Sequence, residues 1–275
     1  AGMAKRLVHR GPEGSGVYVK GGIGLGHTRL KIIDLSPAAS QPMSNEDDTL
    51  WIVFNGEIYN YQELRSSLLA SGHLFRSNSD TEVILHLYEE KGERCVEALD
   101  GMFAFALWDV KQSRLFLARD RVGKKPMFYY TDRRLFAFAS EIKALLRHPL
   151  IPADIDRSVI PLYFLHGYVP TPKSFYRGIS ALQPGHTVTI TTGGNLEKRQ
   201  YWDLSFSTDS ALDPALSRDD EVACRVRELV TEAVRKRLIS DVPIGVFLSG
   251  GMDSSSVVAM MAEMMAPKDI KTFSI

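Results

Sequence analysis

The sequence predicts two domains of different class, an α+β unit followed by the opening of an α/β unit. Through residue 203 the apolar segments are mostly short strands; from Asp219 a long amphipathic helix, a strand, a glycine-rich loop and a second helix follow one another. Residues 206–216, between the two textures, are small and polar like a linker, so the division is set at 1–203 and 204–275. With 44% apolar and 24% charged residues, either part can bury a core. Lys plus Arg and Asp plus Glu are equal at 33 each, which leaves no net field to recruit nucleic acid or an anionic membrane. With no apolar run of membrane-spanning length and no signal-peptide core, the expected location is the cytoplasm. Cys95 and Cys224 are too far apart for a disulfide framework or a metal cluster, and both are expected to be buried or half-buried thiols.

In the first unit, residues 1–7 read as the tail of a helix, halted at His9-Arg10-Gly11-Pro12, and the expectation is a chain whose beginning lies upstream. Val17–Val19, the turn Lys20-Gly21-Gly22 and the return strand Ile23–Ile33 make a hairpin. Gly22, Gly24 and Gly26 lack the spacing of a dinucleotide fingerprint and are assigned to the hairpin and to close sheet packing. Arg29 lies where that strand meets a polar loop, a position from which a guanidinium can grip a carboxylate, although a plain surface arginine is the commoner case.

Leu50–Phe54 is a buried strand that runs into Asn55-Gly56-Glu57. Asn-Gly there is a turn signal and equally an oxyanion hole, with the Asn55 amide and the Gly56 N–H aimed at a developing alkoxide. Helices are predicted over Tyr61–Ala70, stopped by Ser71-Gly72, and from Ser79 to about Cys95, with Asp80 either an N-cap or a ligand. Met102–Trp108, Arg114–Ala118, Met127–Tyr130, Leu135–Ala139 and Thr187–Thr191 are further strands, and Ser140–Leu146 is a short helix. Arg121–Pro126 is a loop, because Pro126 blocks a helix start after Gly-Lys-Lys.

In the second unit, Asp219–Ile239 is a helix with Val222, Val226, Leu229, Ala233 and Val234 on one stripe. Ile244–Leu248 reads as a buried parallel strand and the next helix opens at Ser254, so Ser249–Asp253 is the loop between them. A helix N-terminus carries unpaired N–H groups and the positive end of its dipole, Gly250-Gly251 lets a polyanion approach the main chain, and Ser249, Ser254 and Ser255 add hydroxyls. The implied guest is a phosphate or pyrophosphate, and Asp253 beside it calls for a cation, Mg²⁺. No Gly-Lys-Ser/Thr follows, so this is not a Walker A loop; an ordinary β-to-α turn with a serine cap is the plain alternative.

Leu248-Ser249-Gly250-Gly251-Met252-Asp253-Ser254-Ser255 resembles the pyrophosphate loop of the N-type ATP pyrophosphatases, which cleave ATP between the α- and β-phosphates and adenylate a substrate oxygen. His9-Arg10-Gly11-Pro12, Arg29-Leu30, Phe54-Asn55-Gly56-Glu57-Ile58-Tyr59-Asn60 and Ser79-Asp80-Thr81-Glu82 form part of a second likeness. With Leu99–Ala104, Arg119–Pro126 and Ser140-Glu141-Ile142-Lys143 they resemble a class II glutamine amidotransferase domain. That family has the N-terminal nucleophile hydrolase fold, an α-β-β-α sandwich. Joined, the two halves resemble the glutamine-hydrolysing asparagine synthetases over essentially the whole length.

The resemblance implies glutamine, aspartate and ATP as substrates, with Mg²⁺ as the metal. It places Arg29 and the backbone through Ile33 at the glutamine α-carboxylate, Glu57 and Asp80 at its α-amino group, and Asn55 and Gly56 at the oxyanion. It places Leu248 against the adenine nucleotide, Ser249, Gly250, Gly251, Ser254 and Ser255 around the pyrophosphate, Asp253 on Mg²⁺ and Ile275 against the base. The family's nucleophile is a cysteine at the mature N-terminus, whose own α-amine is the base, whereas position 1 here is Ala1. The expectation is therefore a chain that starts after that cysteine, stops before the aspartate pocket and lacks glutaminase activity. Two other readings stand beside it: a homologue acting on a different carboxylate, as in β-lactam, polysaccharide or peptide biosynthesis, and a non-catalytic relic. Oligomeric state is not legible, and a homodimer is among the assemblies the sequence admits.

Overall fold

The computed structural model describes residues 1–205 and 219–274; the linker expected at 206–216 and the base contact expected at Ile275 lie outside the described residues. Two compact units are found, Ala1–Asp203 and Leu204–Ile275. The first contains α1 (Gly2–Lys5), β1 (Gly14–Lys20), β2 (Ile23–Arg29), β3 (Met43–Ser44), β4 (Leu50–Ile58), α2 (Tyr61–Ala70), α3 (Asp80–Lys91) and α4 (Cys95–Ala98). It continues with β5 (Gly101–Asp109), β6 (Arg114–Arg119), β7 (Phe128–Thr131), β8 (Phe136–Ala139), α5 (Ile142–Leu145), α6 (Ile160–His166), β9 (Ile179–Ala181), β10 (His186–Thr191) and β11 (Leu196–Gln200).

The layers follow from strands that are apolar on both faces. β5 reads Met-Phe-Ala-Phe-Ala-Leu-Trp, a pattern for a strand with no solvent side. It sits inside an antiparallel sheet of order β11-β10-β6-β5-β4-β3. On one face Val53, Ala104, Ala106, Leu117 and Val188 pack against Leu25, Met127 and Tyr129, which come from the β1–β2 hairpin and the β8-β7-β9 sheet. On the other face lie Ile52, Phe103, Phe105, Leu107 and Phe116, all essentially inaccessible, with the Tyr88 ring of α3 5.8 Å from that of Phe116. α2 packs on α3, while α1 lies on β2 and α5 on β8. Helices therefore cover the outside of two stacked β-layers, the six-stranded sheet and a second layer made of the hairpin and the three-stranded sheet, the α-β-β-α order expected from the resemblance.

Several boundaries differ from those read in the sequence. β4 does not stop at Phe54: Asn55 pairs with Ala104 and Gly56 with Phe103, so Asn-Gly lies within a strand and the turn reading is wrong. The glycine serves close approach, since a Cβ at position 56 would lie 2.1 Å from the Met102 carbonyl oxygen. β2 ends at Arg29 rather than Ile33, because the chain then wraps around the Arg29 guanidinium. Gly21 and Gly22 both have positive φ, +57° and +87°, the requirement of a two-residue hairpin turn. Gly26 alone of the glycines assigned to close packing approaches a neighbour, 3.4 Å from the Ala4 Cβ, while nothing lies near Gly22 or Gly24. Gly92, at φ +55°, ends α3 at Lys91, and Cys95 opens α4 instead of closing the longer helix. β11 was not legible because Leu-Glu-Lys-Arg-Gln is a charged edge strand, held to β10 through its backbone.

The second unit contains α7 (Asp219–Lys236), β12 (Gly245–Phe247), α8 (Met252–Met264) and β13 (Lys271–Phe273). β12 and β13 pair in parallel across α8, and α7 packs on α8, a βαβ unit with an added helix. The strand is parallel, but it is not buried: Phe247 is 73% exposed. A parallel strand is buried when helices cover both faces of a wide sheet, and the described residues supply two strands. Val222, Val226 and Leu229 are likewise exposed on α7, and Cys224 is exposed, contrary to the buried or half-buried thiol expected; Cys95 is fully buried, as expected.

Phe116 touches both Phe105 and Tyr88 on the helix-facing side of the large sheet. Phe116→Ala should lower unfolding stability of the first unit by roughly 3–5 kcal/mol in urea titrations followed by circular dichroism. A loss below about 1 kcal/mol would show that α3 and the sheet can collapse around the void.

Candidate active site

The six residues expected to hold glutamine, Arg29, Ile33, Asn55, Gly56, Glu57 and Asp80, all line one cleft of about 330 Å³ beside β4. Arg29 is the last residue of β2 and is buried, and its side chain turns back on its own loop. It donates to the Ser36 carbonyl at 2.9 Å and, through a short bond, to the Asp34 carbonyl. Asp34 adopts φ +52°, and its carboxylate accepts the Ser36 and Asn78 N–H groups at 2.9 and 2.7 Å. The guanidinium thus builds the loop that carries Ile33 while lining the cleft.

Ser79, not Asp80, caps α3: its Oγ accepts the Thr81 N–H at 3.1 Å. Asp80 is free of that duty and accepts the Ile58 N–H at 3.0 Å, which ties the start of α3 to the end of β4. Burial pushes the Asp80 carboxyl up to about 7, with the Glu57 charge adding to the rise against the Ile58 hydrogen bond. Gln41 braces the same corner, accepting from the Phe54 N–H at 2.6 Å and donating to Thr81 Oγ1 at 3.2 Å.

The Asn55 Nδ2 is buried and has no hydrogen-bond partner among the described residues. A buried donor left without an acceptor costs about 1–3 kcal/mol, and such a group, held on a strand that lines a cleft, has the chemistry an oxyanion hole needs. His27, on β2 of the hairpin packed against β4, gives its Nε2–H to the Phe54 carbonyl at 3.1 Å. Burial pushes that imidazole down to about 4, with the Arg29 charge adding, so it is neutral and its buried Nδ1 is a bare acceptor.

Among the cleft residues not legible as site residues are Arg10, Gln41 and Lys125. The signal for Lys125 is the Arg119-Asp120 pair. Asp120 is buried and accepts the Phe103, Val122, Lys124 and Lys125 N–H groups, while Arg119 donates to the carbonyls of Gly123, Lys125 and Leu182. The loop after β6 is therefore folded around one ion of each sign, and it delivers Lys125 beside Glu57. Arg10 is fixed by Glu141, which also accepts from His9 and Lys143. A larger, mostly apolar groove of about 510 Å³ runs between β2 and β8 and shares His27, Phe54 and Asn55 with the cleft.

In the second unit the loop is Leu248-Ser249-Gly250-Gly251, and α8 opens at Met252, so Asp253 stands in the first helical turn rather than in the loop. Gly250 has φ +79°, and no atom lies within 4 Å of where its Cβ would be. Ser254 Oγ reaches back to Ser249 Oγ at 3.0 Å and accepts the Ser249 N–H at 3.2 Å, while the Leu248 carbonyl accepts from Ser274 Oγ. Ser249, Gly250, Gly251, Asp253 and Ser255 are exposed around this helix start. The open main chain, the hydroxyls and one carboxylate fit a polyphosphate with a divalent cation.

A family model described as a glutamine amidotransferase domain matches residues 1–202, where the cleft lies. The chain belongs to the glutamine amidotransferase family. A second model, asparagine synthase, matches residues 225–275 of this amidotransferase chain. It is 44% identical over 265 residues to asparagine synthetase [glutamine-hydrolyzing] 3 of Bacillus subtilis, covering 94% of this chain and 42% of that protein. It is 38% identical to the B. subtilis asparagine synthetase [glutamine-hydrolyzing] 1, covering 99% and 42%, and 38% identical to amidase chry2 of Gibberella zeae, covering 94% and 38%. The amidotransferase chain thus spans less than half the length of these relatives.

Two outcomes test the geometry. Gly56→Ala drives a methyl into the Met102 carbonyl. It should cost about 2–4 kcal/mol by opening the β4–β5 ladder, read as a lower urea midpoint; an unchanged midpoint would contradict the close approach. The folded-state pKa of Asp80 lies above its unfolded value, so between about pH 4 and 7 the folded chain binds the extra proton and stability falls as pH rises. The loss is on the order of 4 kcal/mol, complete above about pH 7. Asp80→Asn retains the acceptor for Ile58 and should gain on the wild type across that window; parallel stability curves would refute it.

Proposed function

We propose that this chain is the glutamine-binding and ATP-loop portion of a cytoplasmic, glutamine-dependent asparagine synthetase. The observation that carries the reading is the unpartnered Asn55 amide in a cleft where a buried arginine and two acidic residues converge. Arg29 and the main chain to Ile33 meet the substrate α-carboxylate, and Glu57 with Asp80 meets the α-ammonium. The side-chain amide then lies along β4, its oxygen toward Asn55 Nδ2 and the Gly56 N–H. Substrate binding brings a further cation to Asp80, whose charge already couples to the Arg29 guanidinium. Attack by the thiol sulfur on the amide carbon forms a C–S bond and passes the carbonyl π pair to this oxygen, which the two donors stabilise; collapse breaks the C–N bond, and the nitrogen leaves as ammonia with the proton that the cysteine α-amine took from the thiol.

The nucleophile is a thiolate, as the family resemblance implies, and nothing described here supplies it. Ala1 has no side-chain nucleophile, and burial pushes the Cys95 thiol up and away from reactivity. Residues 1–275 should bind glutamine through the cleft; absence of glutamine binding by the purified chain would overturn this assignment. In the second unit, Ser249, Gly250, Gly251, Ser254 and Ser255 hold the phosphates of ATP, Leu248 flanks the nucleotide, and Asp253 holds Mg²⁺. The metal supplies charge neutralisation at the phosphates when bound.

The similarity to the Gibberella amidase equals that to one of the Bacillus synthetases, so the acceptor is the open variable. The test uses the complete gene product with glutamine, ATP-Mg²⁺ and a panel of acceptor acids, following AMP and pyrophosphate. Aspartate-dependent AMP release is the expected result, and release with another acid would transfer the protein to that acceptor. In the same enzyme Asn55→Ala should lower the glutamine-dependent rate about 10²–10³-fold while ammonia-dependent turnover persists. An equal fall in both rates would remove Asn55 from the oxyanion role.

A further inference from the structure

Away from the cleft, on the helical side of the large sheet, the described residues contain one group of side chains with metal-ligand character: His73, His86 and Glu89. His73 is fixed by the way α2 ends. Gly72 takes φ +97°, and the His73 N–H returns to the Leu68 carbonyl at 3.0 Å, a helix-terminating bond that locks the backbone carrying the imidazole. His86 and Glu89 are three residues apart on α3 and so share a face. Glu89 Oε2 lies 2.9 Å from His86 Nδ1 and 3.3 Å from His73 Nδ1, and one ligand atom from each residue lies within 4.8 Å of the others. Tetrahedral coordination with bonds of about 2.0–2.1 Å sets neighbouring ligand atoms about 3.3 Å apart, close to this spacing.

The surroundings are those of supported ligands. His86 is wholly buried, and its Nε2 lacks a hydrogen-bond partner but faces Glu82 Oε1 at 3.7 Å. Glu82 is itself held by the N–H groups of Arg76 and Ser77 and by the Ser77 hydroxyl. The second Glu89 oxygen accepts from Asn45 Nδ2 at 2.7 Å, and Glu90 stands 3.4 Å from His73 Nε2. An imidazole with one nitrogen toward the ion and the other toward a carboxylate is the recurrent arrangement of a metal-bound histidine. Glu46, whose Oε1 is 3.9 Å from His86 Nδ1, or a water, completes four ligands.

We propose that His73, His86 and Glu89 form a site for a late first-row divalent cation, zinc in the first instance. Two imidazoles and a carboxylate suit zinc, cobalt or nickel, whereas Mg²⁺ and Ca²⁺ take oxygen ligands. The ion fastens the end of α2 to the middle of α3, the helix whose first residue is Asp80, and so buttresses the cleft from outside. This role is separate from the glutamine and ATP chemistry. The competing arrangement is a hydrogen-bonded cluster held by protons alone.

The experiment is calorimetric titration of Zn²⁺ into the chelator-treated chain, with thermal unfolding in parallel and Co²⁺ as a spectroscopic probe. The site predicts one zinc per chain, a zinc-dependent rise in Tm and the intense visible absorption of tetrahedral Co²⁺. His73→Ala, a half-buried position whose change leaves the core intact, should weaken zinc binding at least tenfold, as should Glu89→Gln. Absence of stoichiometric binding, affinity unchanged in both variants, or a weak octahedral Co²⁺ spectrum would each overturn the site.

Discussion

The first unit depends on the continuation of β4 through Asn55-Gly56 in register with β5. An antiparallel ladder tolerates this approach because residue 56 has no side chain; any Cβ would collide with the Met102 carbonyl. Once the ladder holds, the remaining positions of the cleft are set by alternation along one strand. Asn55 and Glu57 stand two residues apart and share a face, while the Ile58 N–H at the strand end is left to take the Asp80 carboxylate. The sheet core beneath is dry and aromatic, so the strand carrying the polar residues has little freedom to shift.

Around that strand the site is assembled from buried polar groups that shape loops. The Arg29 guanidinium organises residues 30–36, Asp34 ties that loop to the turn before α3, and Asp120 with Arg119 folds the loop that presents Lys125. Each ion is matched by main-chain donors or acceptors, which is how a charge persists inside a protein. Asp80 also takes a main-chain donor, the Ile58 N–H, but this does not offset its burial. It is buried next to Glu57 with a carboxyl raised to about 7, and an α-ammonium group is the partner that would restore its charge. The proposed glutamine site rests on these two features, an acid whose carboxyl is raised by burial and an amide donor without a partner among the described residues.

Much of this was legible in the sequence, and the misreadings share a cause. Strands of the large sheet could be read because Phe103 to Trp108 and Leu115 to Ala118 are apolar in unbroken runs, and α2 because Ser71-Gly72 stops it. The two sequence domains correspond to two different architectures. Of the two readings of Asn55-Gly56, the turn fails because local preference cannot register a carbonyl arriving from a partner strand. Lys125 and Gln41 were overlooked because their neighbours in space are about 70 and 40 residues away in sequence, a relation that no local spacing encodes. β12 was expected to be buried because its composition is that of a wide parallel sheet. The resemblance to class II amidotransferases supplied the site residues that spacing alone left undecided between structure and function.

The most direct test of the glutamine cleft is calorimetric titration of L-glutamine into this chain, one pH unit below and one above the Asp80 value of about 7. The account predicts saturable binding that tightens several-fold across that interval, as Asp80 ionises to meet the substrate ammonium, and a flat profile for Asp80→Asn. Binding that is absent, or that is equally strong at both pH values in the wild type, would contradict it.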